Sequence, residues 1–530
     1  MQWAQHQASR AGKWFVSRDG ITTSVSLVFL LAILQRVLQV GRVVVFARLL
    51  GPEQYGIYTL GMFLIPLVAT VASLGMQSAY PRYVSRYAAE STLRWFLKKT
   101  LYLTLGVAVV AAVAVGIAPA FFSGLLYGDR SYWATIIVAA ASVPAYLLIR
   151  NLATIFMGLR LFRAGSFPEF TQALAYAAGG IPLAWLLRSA TAGLVGFALA
   201  TYFSVAVFGL LLTRYLRRIE PVPVAGDRPG FYKHLLGFSL WFVVTPVLGH
   251  IFHYIDRLSL QHLRGAFDQG VYSAGVNIAE TVSAFGLAIC NVIYPHIAAT
   301  WEAGDRERAI RNLDLAIRVT SVAMLLVGLA LVLCGKWLIL LLLGDKYGPG
   351  AQVLPVLVVY YLFTVLVWLY GTYPALIEKT YIAAIGLAFA LPANILLNRW
   401  LIPRTGMIGA ALATMSAYLV MWLIVAGICH RMGLRLTRKT VAACLTSLVL
   451  LAPTALGPVV ARIHAPRSWA WLVGLLPDLV AVVAVGVVVY VCIRRTWILS
   501  ASERQTAYAE IARVVRRARS FVPGRRGRAA

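Results

Sequence analysis

Two apolar stretches carry side chains that hydrocarbon admits only at a cost. "LQRVLQVGR" (34–42) sets Gln35, Gln39 and Arg42 within an arc of about 60° at about 100° per residue, with Ser24 on that arc and Arg36 on its shoulder. "GHIFHYIDRLSLQ" (249–261) puts His250, His253, Tyr254, Arg257 and Gln261 on one helical face, with Asp256 displaced from it. A third stripe holds Ser273, Asn277, Glu280 and Asn291. Ionisable groups near the middle of a membrane-spanning helix cost roughly 3 kcal/mol or more, so they usually face a cavity or a partner. The chemistry such groups offer is binding of a polar cargo and exchange of a coupling ion. Catalysis is not expected: the sequence shows no nucleotide-binding loop, no acidic metal cluster and no paired catalytic carboxylates on a loop. No cofactor and no metal are expected. The candidate binding set is Arg36, Gln39, Arg42, His250, His253, Asp256, Arg257, Asn277 and Glu280.

The elements that must position these residues are membrane helices. Of 530 residues, 60% are hydrophobic and only 13% charged, against about 45–50% and about 25% in soluble domains. A run of about 20 apolar residues spans a bilayer as a helix, because hydrocarbon leaves each backbone group to find its partner within its own segment. The pattern predicts an all-α integral membrane protein with about fourteen transmembrane helices. Their expected ranges are 21–46, 57–80, 100–121, 132–158, 167–187, 192–213, 236–260, 271–296, 314–335, 351–377, 381–401, 406–429, 441–461 and 470–493. The first twenty residues are polar and the first span is full length, so no cleaved signal peptide is expected.

A net charge of +29 would suggest nucleic acid in a soluble chain. Here the charge sorts by topology. With residue 1 inside, the inside segments hold 33 of the 48 Lys and Arg. That asymmetry predicts both termini in the cytoplasm and no nucleic-acid partner. The five cysteines are scattered through apolar segments without a CxxC pair and read as packing residues. In the tail, "YAEIARVVRRARSF" has one apolar side and one basic side, which suits a helix lying on anionic lipid and equally an ordinary basic tail.

The chain repeats itself. "GPEQYGIYTLG" (51–61) and "GAFDQGVYSAG" (265–275) match at an offset of 214, as do "YPR" (80–82) and "YPH" (294–296). "LLYGDR" (125–130) meets "LLLGDK" (341–346) at 216. Six spans separate equivalent points, so the copies enter the membrane in the same direction. Such parallel repeats are related by an axis along the membrane normal, with a binding site between them. The expected organisation is a cytoplasmic segment 1–20, an N-lobe 21–215, a cytoplasmic linker 216–233, a C-lobe 234–430, an extra helix pair 431–494 and a basic tail 495–530. The offset also carries Arg36 to His250, Gln39 to His253 and Arg42 to Asp256. Arg42 therefore lines a cavity, pairs with Asp256, or snorkels to the headgroup layer. His250 and His253 line a cavity or are packing residues. Glu280 is a coupling-ion or proton site, makes a structural hydrogen bond, or pairs with Arg257.

The stretch "FARLLGPEQYGIYTLGMFLIPLVATVASLGMQSAYPRYVSRY" resembles the first two spans of the polysaccharide biosynthesis proteins, the oligosaccharide flippases for O-antigen and related glycans. "YIDRLSLQHLRGAFDQGVYSAGVNIAE" resembles the second-lobe signature of that family, which lies within the multidrug/oligosaccharidyl-lipid/polysaccharide superfamily. The resemblance covers roughly 20–430. It implies two six-helix lobes around a central cavity, in the cell (inner) membrane. It also implies transfer of an isoprenoid-diphosphate-linked oligosaccharide from the cytoplasmic to the outer leaflet, alongside other polysaccharide assembly proteins. On that reading Arg36, Arg42 and Arg257 would meet the diphosphate, and His, Gln, Asn and Tyr side chains the sugars. A coupling ion, H+ or Na+, would supply the energy. Fourteen spans also fit a lipid II-type flippase, whose last helix pair holds the lipid tail. A cation-coupled multidrug exporter of the same superfamily would use Glu280 or Asp256 as its coupling site.

Overall fold

The computed structural model describes residues 21–217, 230–379, 381–464 and 483. Among these every regular element is helical. Helix α1 (Ile21–Ala72) is two arms meeting at Gly51, and α2 (Met76–Ala89) follows a tight turn. Next come α3 (Leu93–Ile117), α4 (Pro119–Tyr127) and α5 (Trp133–Gly158). Helix α6 (Phe162–Ala175) runs through a π-helical turn, Tyr176–Gly180, into α7 (Ile181–Leu187), and α8 (Ala190–Leu216) ends the first lobe. The second lobe contains α9 (Phe231–Ser239), α10 (Trp241–Arg264), α11 (Ala266–Glu302), α12 (Arg306–Leu343), α13 (Leu354–Leu376), α14 (Tyr381–Thr405) and α15 (Met407–Arg431). A last helix, α16 (Arg438–His464), leans on α12 and α13.

Ten helices among the described residues are long and apolar enough to cross a membrane, or eleven if α9 and α10, bent by 44°, count as one span. The expectation was fourteen. The first two expected spans are one helical run broken only at Gly51, which lowers the count. The expected thirteenth span is helical in α16 but is not among the ten. The expected fourteenth, 470–493, and the basic tail lie outside the described residues, as does most of the linker.

The duplication is written into the backbone. Gly51 (φ 71°, ψ 169°) and Gly265 (φ 90°, ψ 176°) stand 214 residues apart and break their helices in the same unusual conformation. A side chain disfavours that region, which is why glycine stands there twice. The stretch 51–61 begins in the gap left between the expected spans 21–46 and 57–80, yet its backbone leaves the helix only at Gly51. The rest forms the start of the second arm of α1 and packs against its own counterpart. A Cβ on Gly56 would strike the carbonyl oxygen of Ala266, and one on Gly270 would strike that of Pro52. These are the same contact seen from either lobe. Between them Thr59 Oγ1 donates to Ser273 Oγ at 3.4 Å, again across 214 residues, and Gln269 Nε2 donates to both hydroxyls at 3.0 Å. Gln261 closes the same end by donating to the Tyr127 carbonyl at 3.0 Å.

The last helix is stitched to the second lobe by polar contacts. Asp314 on α12 accepts from the Thr437 backbone N–H at 2.8 Å and the Thr437 hydroxyl at 2.9 Å. Ser447 donates to the Ser321 carbonyl at 3.2 Å. Asp314 also pairs with Arg318 at 3.6 Å, and both are buried.

Candidate functional site

The polar residues of α1, α10 and α11 lie inward of the glycine seam. Arg36 and Glu280 form an ion pair between the lobes, Nη1 to Oε1 3.6 Å, each side chain about one third exposed. Glu280 therefore pairs with Arg36, where the sequence had placed Arg257 in reach. The reason is the stripe on α11: Asn277, one turn away, donates to the Tyr55 hydroxyl at 2.8 Å, so this face of α11 looks across to α1. A half-exposed pair at this length is worth about 1 kcal/mol or less, so it can open in the course of function.

Arg42 and Asp256 occupy equivalent positions but are not an ion pair. The Asp256 carboxylate is turned into its own lobe. It accepts from the Tyr272 hydroxyl at 2.6 Å, the Thr414 hydroxyl at 3.4 Å and the Arg257 backbone N–H at 2.7 Å. Arg42 lies over the Tyr176 ring at 5.5 Å. That ring is presented by the π-helical turn between α6 and α7, a departure from α-geometry often found at functional sites. The Tyr176 hydroxyl is anchored to the Gly193 carbonyl at 2.9 Å and to the Tyr58 hydroxyl at 2.9 Å.

Arg257 is the most deeply buried cation of the candidate set, 2% exposed. Its guanidinium sits 4.4 Å from the Tyr254 ring, which itself stacks on Phe63 of the other lobe at 4.5 Å. Because Asp256 is spent on Tyr272 and Thr414, the Nε and Nη2 donors of Arg257 have no acceptor among the described residues. An unsatisfied buried donor costs about 1–3 kcal/mol, more when charged. The arrangement is one that an oxygen-rich anion would relieve.

The remaining candidates are more open. Gln39 is half-buried and makes no hydrogen bond among the described residues. His253 packs edge-on against Tyr254, with ring centres 5.3 Å apart. His250 lies seven residues, or about 10 Å, inward of Arg257 and borders a cavity between the lobes together with Arg150.

Arg150 is a residue that the candidate set lacked. Its Nη1 pairs with Glu169 Oε1 at 2.5 Å, and Gln35 Nε2 donates to the other oxygen of Glu169 at 3.2 Å. Both ionisable residues lie inside expected spans, 132–158 and 167–187, so the rule that singled out Arg36 and Glu280 applies to them equally. Tyr58 and Tyr176 had no comparable signal, since tyrosine is common in membrane helices.

Comparison with known proteins agrees with this architecture. A family model described as "Polysaccharide biosynthesis protein" matches residues 21–301, just over half of the chain. The chain is 20% identical over 401 residues to an uncharacterized membrane protein, MJ1068, of Methanocaldococcus jannaschii, covering 72% of this chain and 78% of that protein. It is 21% identical over 384 residues to the probable low-salt glycan biosynthesis flippase Agl15 of Haloferax volcanii, covering 71% of this chain and 76% of that one. Among solved structures, the lipid II flippase MurJ in an inward closed conformation superposes with a TM-score of 0.67 at 16% identity, over 88% of this chain and 100% of that one. An inward-facing multidrug resistance transporter of the MATE family in the MOP superfamily gives 0.54 at 14% identity, over 74% and 95%. At these identities the structural likeness speaks to the fold alone.

Proposed function

Since the chain belongs to the polysaccharide biosynthesis protein family, we propose that it carries an isoprenoid-diphosphate-linked oligosaccharide from the cytoplasmic to the outer leaflet of the cell membrane. The supporting observation is Arg257, a buried guanidinium with two N–H donors that meet no acceptor among the described residues. Diphosphate oxygens supply the missing acceptors, and charge-assisted hydrogen bonds of this kind are about twice as strong as neutral ones. Arg42 adds a second cation from the opposite lobe, held by an aromatic ring and free of carboxylate partners among the described residues. The lipid tail stays in the bilayer while the charged head crosses between the lobes.

Alternating access then needs the two ends of the inter-lobe seam to open in turn. By the charge asymmetry of the loops, the glycine seam at Gly56 and Gly270 faces outward and is closed. Arg36 is held by Glu280 in this state. A coupling ion bound at Glu280 would compete with that pair and free Arg36 for the diphosphate, which makes Glu280 the coupling site of this scheme.

The test is reconstitution into sealed vesicles with a lipid-linked oligosaccharide in the inner leaflet. The expected result is a protein-dependent rise in glycan reached by an outside glycosidase or lectin. No rise above protein-free vesicles would overturn the proposal for that substrate.

A further inference from the structure

The cavity that His250 borders is chemically unlike the Arg42–Arg257 region. It measures about 280 Å³ and lies between the inner half of α1's second arm, α5 and α10. Ligand pockets usually run from about 300 to about 1,000 Å³, so this one is sized for a single ring and not for a whole glycan. Its polar lining includes Thr70, Ser73, Gln77, Tyr146, Arg150 and His250. The charge of Arg150 is compensated by Glu169 at 2.5 Å, so an anion finds no free cation here. Thr70 and Ser73 donate to backbone carbonyls, at 2.6 and 2.7 Å, which leaves their hydroxyls as acceptors, and Ser73 Oγ already accepts from the Gly75 N–H at 3.2 Å. The side chains of Gln77, Tyr146 and His250 make no hydrogen bond among the described residues. They offer both donors and acceptors. Apolar faces come from Pro66, Pro246 and Phe242.

Neutral donors and acceptors interleaved with proline and aromatic surface, and no free cation, suit an uncharged pyranose, whose ring presents both hydroxyls and C–H faces. We infer that this cavity is a second subsite, which takes one uncharged sugar ring of the cargo while the diphosphate lies about 10 Å away at the Arg42–Arg257 end. The inference rests on the flippase reading above and divides its cargo between two places. Closure of the cavity on its inner side fits the same reading. A Cβ on Gly75 would strike the Ser239 carbonyl, so the turn before α2 abuts the bend between α9 and α10. Release of the ring inward therefore requires α9 to lift from α2.

Binding distinguishes the two subsites. The purified full chain is titrated with undecaprenyl diphosphate and with undecaprenyl diphosphate bearing a single N-acetylhexosamine. Gln77→Ala and the isosteric Tyr146→Phe are each expected to weaken binding of the sugar-bearing carrier by about fivefold, the loss of roughly one hydrogen bond. Binding of the bare carrier should change less than about twofold. Arg257→Gln should weaken both carriers alike. Equal losses on both carriers, or none on either, in Gln77→Ala and Tyr146→Phe would overturn the sugar subsite while leaving the flippase reading in place. If the wild-type chain binds neither carrier, the flippase reading falls and the subsite falls with it.

Discussion

The glycine end of the inter-lobe seam and the polar middle of the same helices carry the same internal repeat, yet they differ. At the seam the copies still mirror each other: Gly51 with Gly265 in backbone angle, Gly56 against Ala266 and Gly270 against Pro52, Thr59 on Ser273. In the middle, Arg36, Gln39 and Arg42 match His250, His253 and Asp256 in sequence register, and among the described residues these matched positions form no ion pair or hydrogen bond with each other. Arg42 rests on an aromatic ring, while Asp256 is locked by Tyr272 and Thr414. The difference teaches where symmetry is useful. Two backbones that must close on each other need matching small residues, whereas a cargo with a charged head and a polar glycan has no two-fold axis to match.

The comparison can be broken at either region. The largest effect is expected in the middle: Arg257→Gln or Arg42→Glu should abolish flipping in vesicles while membrane insertion stays normal. Full activity in Arg42→Glu would take that residue out of the cargo path. At the seam, Gly270→Val drives a side chain into the Pro52 carbonyl, and overpacking of this sort costs about 1–3 kcal/mol. An otherwise cysteine-free chain with Thr59→Cys should then label faster with an outside, membrane-impermeant maleimide. Unchanged labelling would mean that the glycine contact does not hold the seam shut. Glu280→Gln should sharpen the asymmetry, freeing Arg36 from its carboxylate partner and slowing ion-coupled transport severalfold. Transport at the wild-type rate in this variant would exclude Glu280 as the coupling group. Smallest of all, Arg86→Ala removes an exposed i,i+4 pair with Glu90. Neither melting temperature nor flipping should move measurably.

The helical class was legible because apolar runs of that length have no other stable form in a membrane. The repeat was legible because glycine, tyrosine and aspartate keep register where leucine matches mean little. That Arg36, Arg42, Arg257 and Glu280 sit on the helices that pack across the lobes was legible from periodicity and the repeat. Their partners were not: Glu280 met Arg36 instead of Arg257, and the Arg42–Asp256 pair is not formed. The Arg150–Glu169 pair, with Gln35 bonded to it, was open to the same rule, but nothing in one dimension shows that α1, α5 and α6 converge.

By itself, then, the sequence determined that this chain is helical, membrane-embedded, doubled, and polar at one depth of its paired helices. These properties depend on local composition and on spacing along one chain. Only the tertiary structure decided which charges are satisfied and which are not. Charge pairing depends on how helices far apart in sequence are rotated and packed, and a rotation of a few tens of degrees separates an ion pair from an unmet guanidinium.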